Sequence, residues 1–357
     1  MTLNSYRTLG RSGLAISPLC LGTMTMGTPR WGSQDDVSET IFNAYVDAGG
    51  NFIDTADAYA NGRSEELLAG YMGSRKLRDR VVLATKFTMT SPEQQGNPNG
   101  SANGRKNVYR AVEASLRRLK TDYIDLYWMH AWDTVTPAEE VLQSMGDLVR
   151  AGKIRYFGLS DVPAWYAAKM ATLAALHGVP GPIAMQLEYS LIERTVEREH
   201  IDCAREFGMG VTPWSPLASG FLAGKYTRDA AGKSSGEGRL DVLGNGANPV
   251  FTKYTADRNW SVLETLREVA DELGKPLAQV ALGWTQARRA VTSLIIGATK
   301  LEQLQGNIGS LDVTLSPEQA AKLDAVGAPE LAHPYVFFSG MLHRERVFSG
   351  TDVTGWR

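Results

Sequence analysis

The chain has 357 residues, 43% hydrophobic and 21% charged, with a formal net charge of −2. That is an ordinary soluble globular composition, and without a basic excess it argues against nucleic acid or a membrane surface as partner. Cys20 and Cys203 are too few for a disulfide framework and form no metal-type spacing, so both are expected as reduced thiols. The N-terminus lacks a long apolar run, and no apolar stretch approaches the ~20 residues needed to span a bilayer. The expected location is the cytoplasm.

In chain order, residues 6–17 read as a short hairpin turning between Gly10 and Gly13. Short apolar runs then alternate with helix-period stretches, which predicts βαβ units and a parallel sheet. Strands are expected at 19–22, 51–54, 81–86, 123–129, 154–159, 183–187, 210–214 and 293–296. Helices are expected at 35–48, 63–73, 105–119, 137–151, 163–177, 197–207, 257–273, 276–289 and 300–310. Eight strands in this rhythm predict one (β/α)8 barrel domain over 1–357, with the barrel at about 5–325 and a C-terminal extension at about 326–357. The polar stretch 88–104 reads as a loop. So does 226–255, rich in Gly, Asn, Ser and charge, a length typical of lids. The tail carries Pro334, Tyr335, Phe337, Phe338 and Trp356, and is expected either over the barrel mouth or against the outer helices.

Four polar residues stand out because each follows or ends an apolar run: Asp54, Tyr59, Lys86 and His130. A (β/α)8 barrel places its chemistry at the C-terminal ends of its strands. A carbonyl that receives hydride develops negative charge on oxygen and needs a proton donor there. Tyr59 supplies a phenol, whose free pKa of about 10 is high for donation. A neighbouring ammonium from Lys86 favours the phenolate, Asp54 can hold Lys86, and His130 can hydrogen-bond the carbonyl oxygen. Taken singly, Tyr59 reads as a packing residue, Lys86 as a solvated lysine and His130 as a structural hydrogen-bonder. Their joint placement at successive strand ends is what favours chemistry.

These residues also carry a resemblance. Asn51-Phe52-Ile53-Asp54-Thr55-Ala56 with Tyr59, Ala84-Thr85-Lys86-Phe87, and Tyr123-Ile124-Asp125-Leu126 leading to His130 resemble the aldo-keto reductase superfamily. So do Gly158-Leu159-Ser160, Trp214-Ser215-Pro216-Leu217 and Gly297-Ala298-Thr299. The segment His130-Ala131-Trp132-Asp133 is most similar to the bacterial and fungal aryl-alcohol dehydrogenase-like group. The resemblance implies reversible carbonyl reduction by NAD(P)H, usually NADPH, with Tyr59 as general acid. It implies that Ser160 and Gln186 bind the nicotinamide carboxamide, with Thr23 at the first strand exit. Asp161 stands where the family generally has Asn, and an Asp donates only when protonated. Trp214 would stack on the nicotinamide. Ser215, Pro216, Leu217, Ser219, Gly220 and Lys225 would follow the pyrophosphate. Gly297, Thr299, Lys300, Gln303 and Asn307 would surround the adenosine 2′-phosphate and adenine.

Two departures weaken the 2′-phosphate preference: Gln303 stands where many members have Arg, and Gly306 where many have Glu. NADH use is therefore open. No Gly-x-Gly-x-x-Gly follows a first strand, so the dinucleotide site is not of Rossmann type. Met24, Trp31, Phe87 and Trp132, with Tyr59, are expected as an aromatic substrate wall. It would take a small-molecule carbonyl or alcohol. A second reading is a cofactor-sensing subunit with negligible turnover. A metal-dependent hydrolase would need clustered His ligands, which His130, His177, His200, His333 and His343 do not provide in sequence.

Overall fold

In the computed structural model, which describes residues 1–29, 31–228, 234–236, 240, 249–338 and 340–353, the apolar runs become parallel strands. They are β3 (Leu19–Gly22), β4 (Phe52–Asp54), β5 (Val82–Phe87), β6 (Ile124–Met129), β7 (Ile154–Ser160), β8 (Ala184–Glu188), β9 (Gly210–Trp214) and β12 (Leu294–Ile296). The sheet order is β12-β3-β4-β5-β6-β7-β8-β9. A parallel bridge between Val211 and Val291 joins its two ends, and this nearly closes the barrel. Amphipathic helices cover the outside. Arg105–Leu119, for example, buries Val108, Ala111, Val112, Leu116 and Leu119, the spacing of one helix face.

The N-terminal hairpin plugs the bottom. Its strands β1 (Arg7–Thr8) and β2 (Ala15–Ile16) pair antiparallel. Leu9 and Ile16 join Cys20, Phe52, Val82, Ala84, Leu126, Trp128 and Ala184 in one buried cluster inside the barrel. Gly10 has φ +59°, and a Cβ there would lie 2.4 Å from the Ile183 carbonyl oxygen; only glycine lets the turn approach the strand starts so closely. Inside the barrel, Gly158 makes room for its neighbour. A Cβ at 158 would sit 2.2 Å from a Trp128 ring carbon and 2.9 Å from the Ala184 carbonyl oxygen.

The expected 226–255 loop is partly ordered. β10 (Tyr226–Arg228) pairs antiparallel with β11 (Ser234–Gly236), and Pro249–Tyr254 is helical. Sequence reading also missed the helix Pro317–Val326. Its signal was present: the Ser316 hydroxyl and the Gln319 side chain form a reciprocal capping box, with Pro317 in the first turn. The tail lies beside the mouth. Tyr335 donates to Glu199 at 2.5 Å and Arg198 donates to the Glu330 carbonyl at 2.8 Å. Gly340–Val347 forms a further helix, and Trp356 falls outside the described residues. Cys20 and Cys203 are free, the former buried. No helix among the described residues is long and apolar enough to cross a membrane.

Gly158→Ala is expected to cost about 1–3 kcal/mol by forcing the Trp128 ring out of its slot. Urea denaturation followed by tryptophan fluorescence measures it; an unchanged midpoint contradicts this packing account.

Candidate active site

Parity along the strands builds the site. Alternate residues of a strand face the same side, so Phe52 in the plug is followed by Asp54 above it, Ala84 by Lys86, Trp128 by His130, and Ala184 by Gln186. Register keeps these neighbours level: Asp54 pairs with Ala84, Lys86 with Trp128 and Ser160 with Gln186. The interior therefore changes from apolar to polar toward the C-terminal mouth.

There the four expected residues converge. Lys86 is fully buried and Asp54 nearly so. The Lys86 Nζ forms an ion pair with Asp54 Oδ2. It also donates to the Thr55 carbonyl at 2.9 Å and to the Tyr59 hydroxyl at 3.1 Å. All three ammonium donors are thus used. Asp54 Oδ1 accepts from Gln186 Nε2 at 3.0 Å. Burial opposes the Lys86 charge, but Asp54 and then Tyr59 favour it more strongly, and the ammonium's pKa ends above the ordinary lysine range. A cation held against the phenol oxygen stabilises negative charge there.

The Tyr59 and His130 rings meet edge-on with centroids 6.0 Å apart. The His130 backbone N–H donates to the Phe87 carbonyl at 3.2 Å and faces the Thr88 hydroxyl at the same distance. Burial, then the Lys86 charge, push the His130 imidazole down to about 3. It is neutral at ordinary pH, with one N–H donor and one acceptor.

Asp54, Tyr59 and His130 line a cavity of about 910 Å³ at the mouth. Lys86 lies behind this lining, bonded to Asp54 and Tyr59. Every residue assigned to the cofactor by resemblance, from Thr23 through Ser160, Trp214 and Lys225 to Asn307, lines the same cavity, as do Met24 and Trp31. Phe87 and Trp132 do not. Phe87 follows inward-facing Lys86, so it points outward, fully buried and stacked on Tyr127 at 5.0 Å. Trp132 packs against Trp165 and Tyr166. The expected four-residue wall therefore reduces to Met24 and Trp31.

Among the lining residues that were not foreseen are Glu188, Lys253 and Tyr254. Glu188 ends β8 two positions after Gln186, and the same parity would have found it. Lys253 binds Glu188 and Glu193, both at 2.8 Å, and Tyr254 donates to Glu188 at 2.6 Å. Both lie in the segment read as loop.

The cavity floor suits a nicotinamide carboxamide. Ser160 Oγ is buried without a hydrogen-bond partner. Gln186 gives its nitrogen to Asp54, which leaves its oxygen for the cavity. Farther along, the backbone at Ser215, Ala218, Ser219 and Gly220 has positive φ, with the Ala218 and Gly220 N–H groups donating to the Ser215 and Leu217 carbonyls at 2.8 and 3.0 Å. Gln303 Oε1 accepts from the Thr299 backbone N–H at 2.8 Å and hydroxyl at 3.2 Å. A Cβ at Gly306 would meet nothing within 4 Å.

An NADP(+)-linked aryl-alcohol dehydrogenase of Phanerodontia chrysosporium is 32% identical over 91% of this chain and 86% of its own. A norsolorinic acid reductase of Emericella nidulans is 36% identical over 91% of this chain and 82% of its own. A protein of Oryza sativa subsp. japonica named "Probable voltage-gated potassium channel subunit beta" is 38% identical over 90% of this chain and 96% of its own. The aldo/keto reductase family model matches residues 18–328, a span that holds all eight barrel strands and all four converging residues. The chain belongs to the aldo/keto reductase family.

Proposed function

We propose that this oxidoreductase reduces an aldehyde or ketone to its alcohol, reversibly, with Tyr59 as general acid and NADPH preferred over NADH. The observation that carries the reading is the Lys86 ammonium, fixed by Asp54 and 3.1 Å from the Tyr59 hydroxyl, at the wall of a cavity lined by carboxamide- and phosphate-type groups. A bound nicotinamide supplies the hydride. Tyr59 gives its proton to the carbonyl oxygen, and the adjacent ammonium stabilises the phenolate left behind. Neutral His130 orients the carbonyl by donating a hydrogen bond. In the alcohol-oxidising direction Tyr59 takes the proton back. Trp31 and Met24 offer an apolar wall, which suits an aromatic carbonyl; the aryl-alcohol name of one relative points the same way.

The preference for NADPH rests on Lys225 and Lys300, both lining the cavity. With Gln303 tied to Thr299, Lys300 is the cation on its segment that can meet a 2′-phosphate. A second reading, a cofactor sensor with negligible turnover, is favoured by the likeness to the named channel subunit.

Tyr59→Phe is expected to lower kcat by about 10²–10⁴ while the dissociation constant for NADPH stays within a few-fold. Absorbance assays over aryl aldehydes, keto-sugars and diketones measure the first, and fluorescence titration the second. Wild-type binding without turnover across the panel favours the sensor. Separately, Lys300→Met should weaken NADPH binding by about tenfold, one charge-assisted contact of roughly 1.5 kcal/mol, and leave NADH unchanged. Equal losses for both cofactors remove Lys300 from 2′-phosphate recognition.

A further inference from the structure

A second cavity, of about 330 Å³, lies behind the turn that carries Tyr59 and shares no lining residue with the cavity at the mouth. Asp57, Ala58 and Asn61 from that turn form one wall, and the Asp57 backbone N–H donates to the Lys86 carbonyl at 3.2 Å. The helix Arg105–Leu119 forms another. Its positions 110, 114, 117 and 118 share one face, so three arginines line the cavity, and Ala114 leaves room between them.

Some of these charges are already matched. Arg118 donates to buried Glu65 at 2.6 Å, and Glu66 is paired with Arg63 at 3.1 Å. Three groups are not. Arg110 spends Nε and Nη2 on Asn107 and the Gly100 carbonyl, which leaves Nη1. The Arg117 guanidinium has no partner among the described residues. Asp57 Oδ1 is buried without a hydrogen-bond partner. The charges of Arg118 and Arg110 act on Asp57, yet among the described residues neither forms an ion pair with it. Glu93, the remaining charged residue of the lining, is exposed.

Free guanidinium donors and an unpaired carboxylate around one cavity set a specific demand. Guanidinium groups favour an oxyanion. A carboxylate repels an oxyanion unless the oxyanion carries a proton and donates it in a hydrogen bond. Buried polar groups are normally hydrogen-bonded, and an oxyanion with one O–H satisfies both sides at once.

We propose that this cavity is a second ligand site, for inorganic phosphate as its hydrogen-phosphate ion, with P–O⁻ oxygens on Arg110 and Arg117 and the P–OH donating to Asp57 Oδ1. The site is separate from the cofactor cavity and does not rest on the reductase reading, though it shares the turn that carries Tyr59.

The test is equilibrium dialysis of the whole protein against radiolabelled phosphate at pH 8, with NADPH saturating so that the cofactor cavity is covered. At that pH inorganic phosphate keeps one P–OH, sulfate has none, and a phosphate monoester, with a second pKa of about 6, has lost its own. Asp57 is ionised there: burial first, then Glu65, push its carboxyl up to about 7, against Arg118 and Arg110. The expected result is bound label that unlabelled phosphate displaces and that an excess of sulfate or methyl phosphate does not. Arg117→Gln, at an exposed helix position, is expected to weaken binding by about tenfold, the loss of one charge-assisted contact. In Asp57→Asn the side chain can donate where Asp57 accepts, so sulfate should then displace the label as well as phosphate does. A merely structural role for Asp57 predicts no such change of preference. Displacement by sulfate from wild type, sulfate still excluded by Asp57→Asn, binding unchanged in Arg117→Gln, or no binding to wild type each overturns the proposal. If NADPH itself does not bind, the reductase reading falls, and the Arg117→Gln comparison still decides this one.

Discussion

The Lys86–Asp54 ion pair is the constraint on which the rest of the mouth depends. Taking two charges out of water costs several kcal/mol per ion unless the geometry is good and every remaining donor and acceptor is satisfied. Here the conditions are met by the barrel itself. β4 and β5 are neighbours with Asp54 level with Ala84, so Lys86 extends from one layer higher and reaches back. Its three donors go to Asp54, Thr55 and Tyr59, and Asp54 has Gln186 on its other oxygen. The Tyr59 hydroxyl is thereby held against a buried charge. The chain that follows it accepts strain for this: Ala60 and Asn61 both have positive φ, a conformation that costs free energy in residues with a Cβ.

The barrel interior is one column with two chemistries. At the bottom, the hairpin residues Leu9 and Ile16 seal an apolar cluster that ends at Trp128 and Ala184. One residue pair higher on each strand the same face carries Asp54, Lys86, His130, Ser160 and Gln186. The apolar layer keeps water from the underside of the ion pair, and this is why Lys86 is fully buried in a site that opens to solvent a few ångströms above. Gly158 belongs to this division. Without a side chain it admits the Trp128 ring, the uppermost part of the apolar layer, directly beneath His130.

How much of this was legible in the sequence depended on periodicity. Strand and helix positions were read closely because hydrophobic alternation is a strong local signal, and the four polar strand-end residues followed from it. Of the two misplaced wall residues, one shows the same rule neglected and the other shows where it stops. Phe87 is adjacent to Lys86 and so must face the other way. Trp132 lies past the strand end, where no parity applies and only tertiary packing against Trp165 and Tyr166 decides its place. Glu188 was recoverable from Gln186 by parity. Lys253 and Tyr254 were not, since a six-residue helix is too short to display a period, and its position is set by Glu188 and Glu193 across the mouth.

The two ends of the cavity are held in different ways. At the tetrad end each buried polar group depends on another, so that a change at Asp54, Lys86 or Gln186 disturbs all of them. At the far end Lys225 and Lys300 act as single exposed cations, Gln303 serves its own turn through Thr299, and Gly306 leaves open space. Effects at such distant, unlinked positions add independently. A single substitution at Lys300, Gln303 or Gly306 can therefore alter that end of the cavity without moving Tyr59. Asp161 departs from this, because its backbone N–H donates to the Gln186 carbonyl at 3.2 Å while the residue lines the cavity. Thr23 is attached in the same way, its backbone N–H and hydroxyl donating to the Asp54 carbonyl at 2.9 and 3.1 Å, so the two ends of the cavity are joined at these residues.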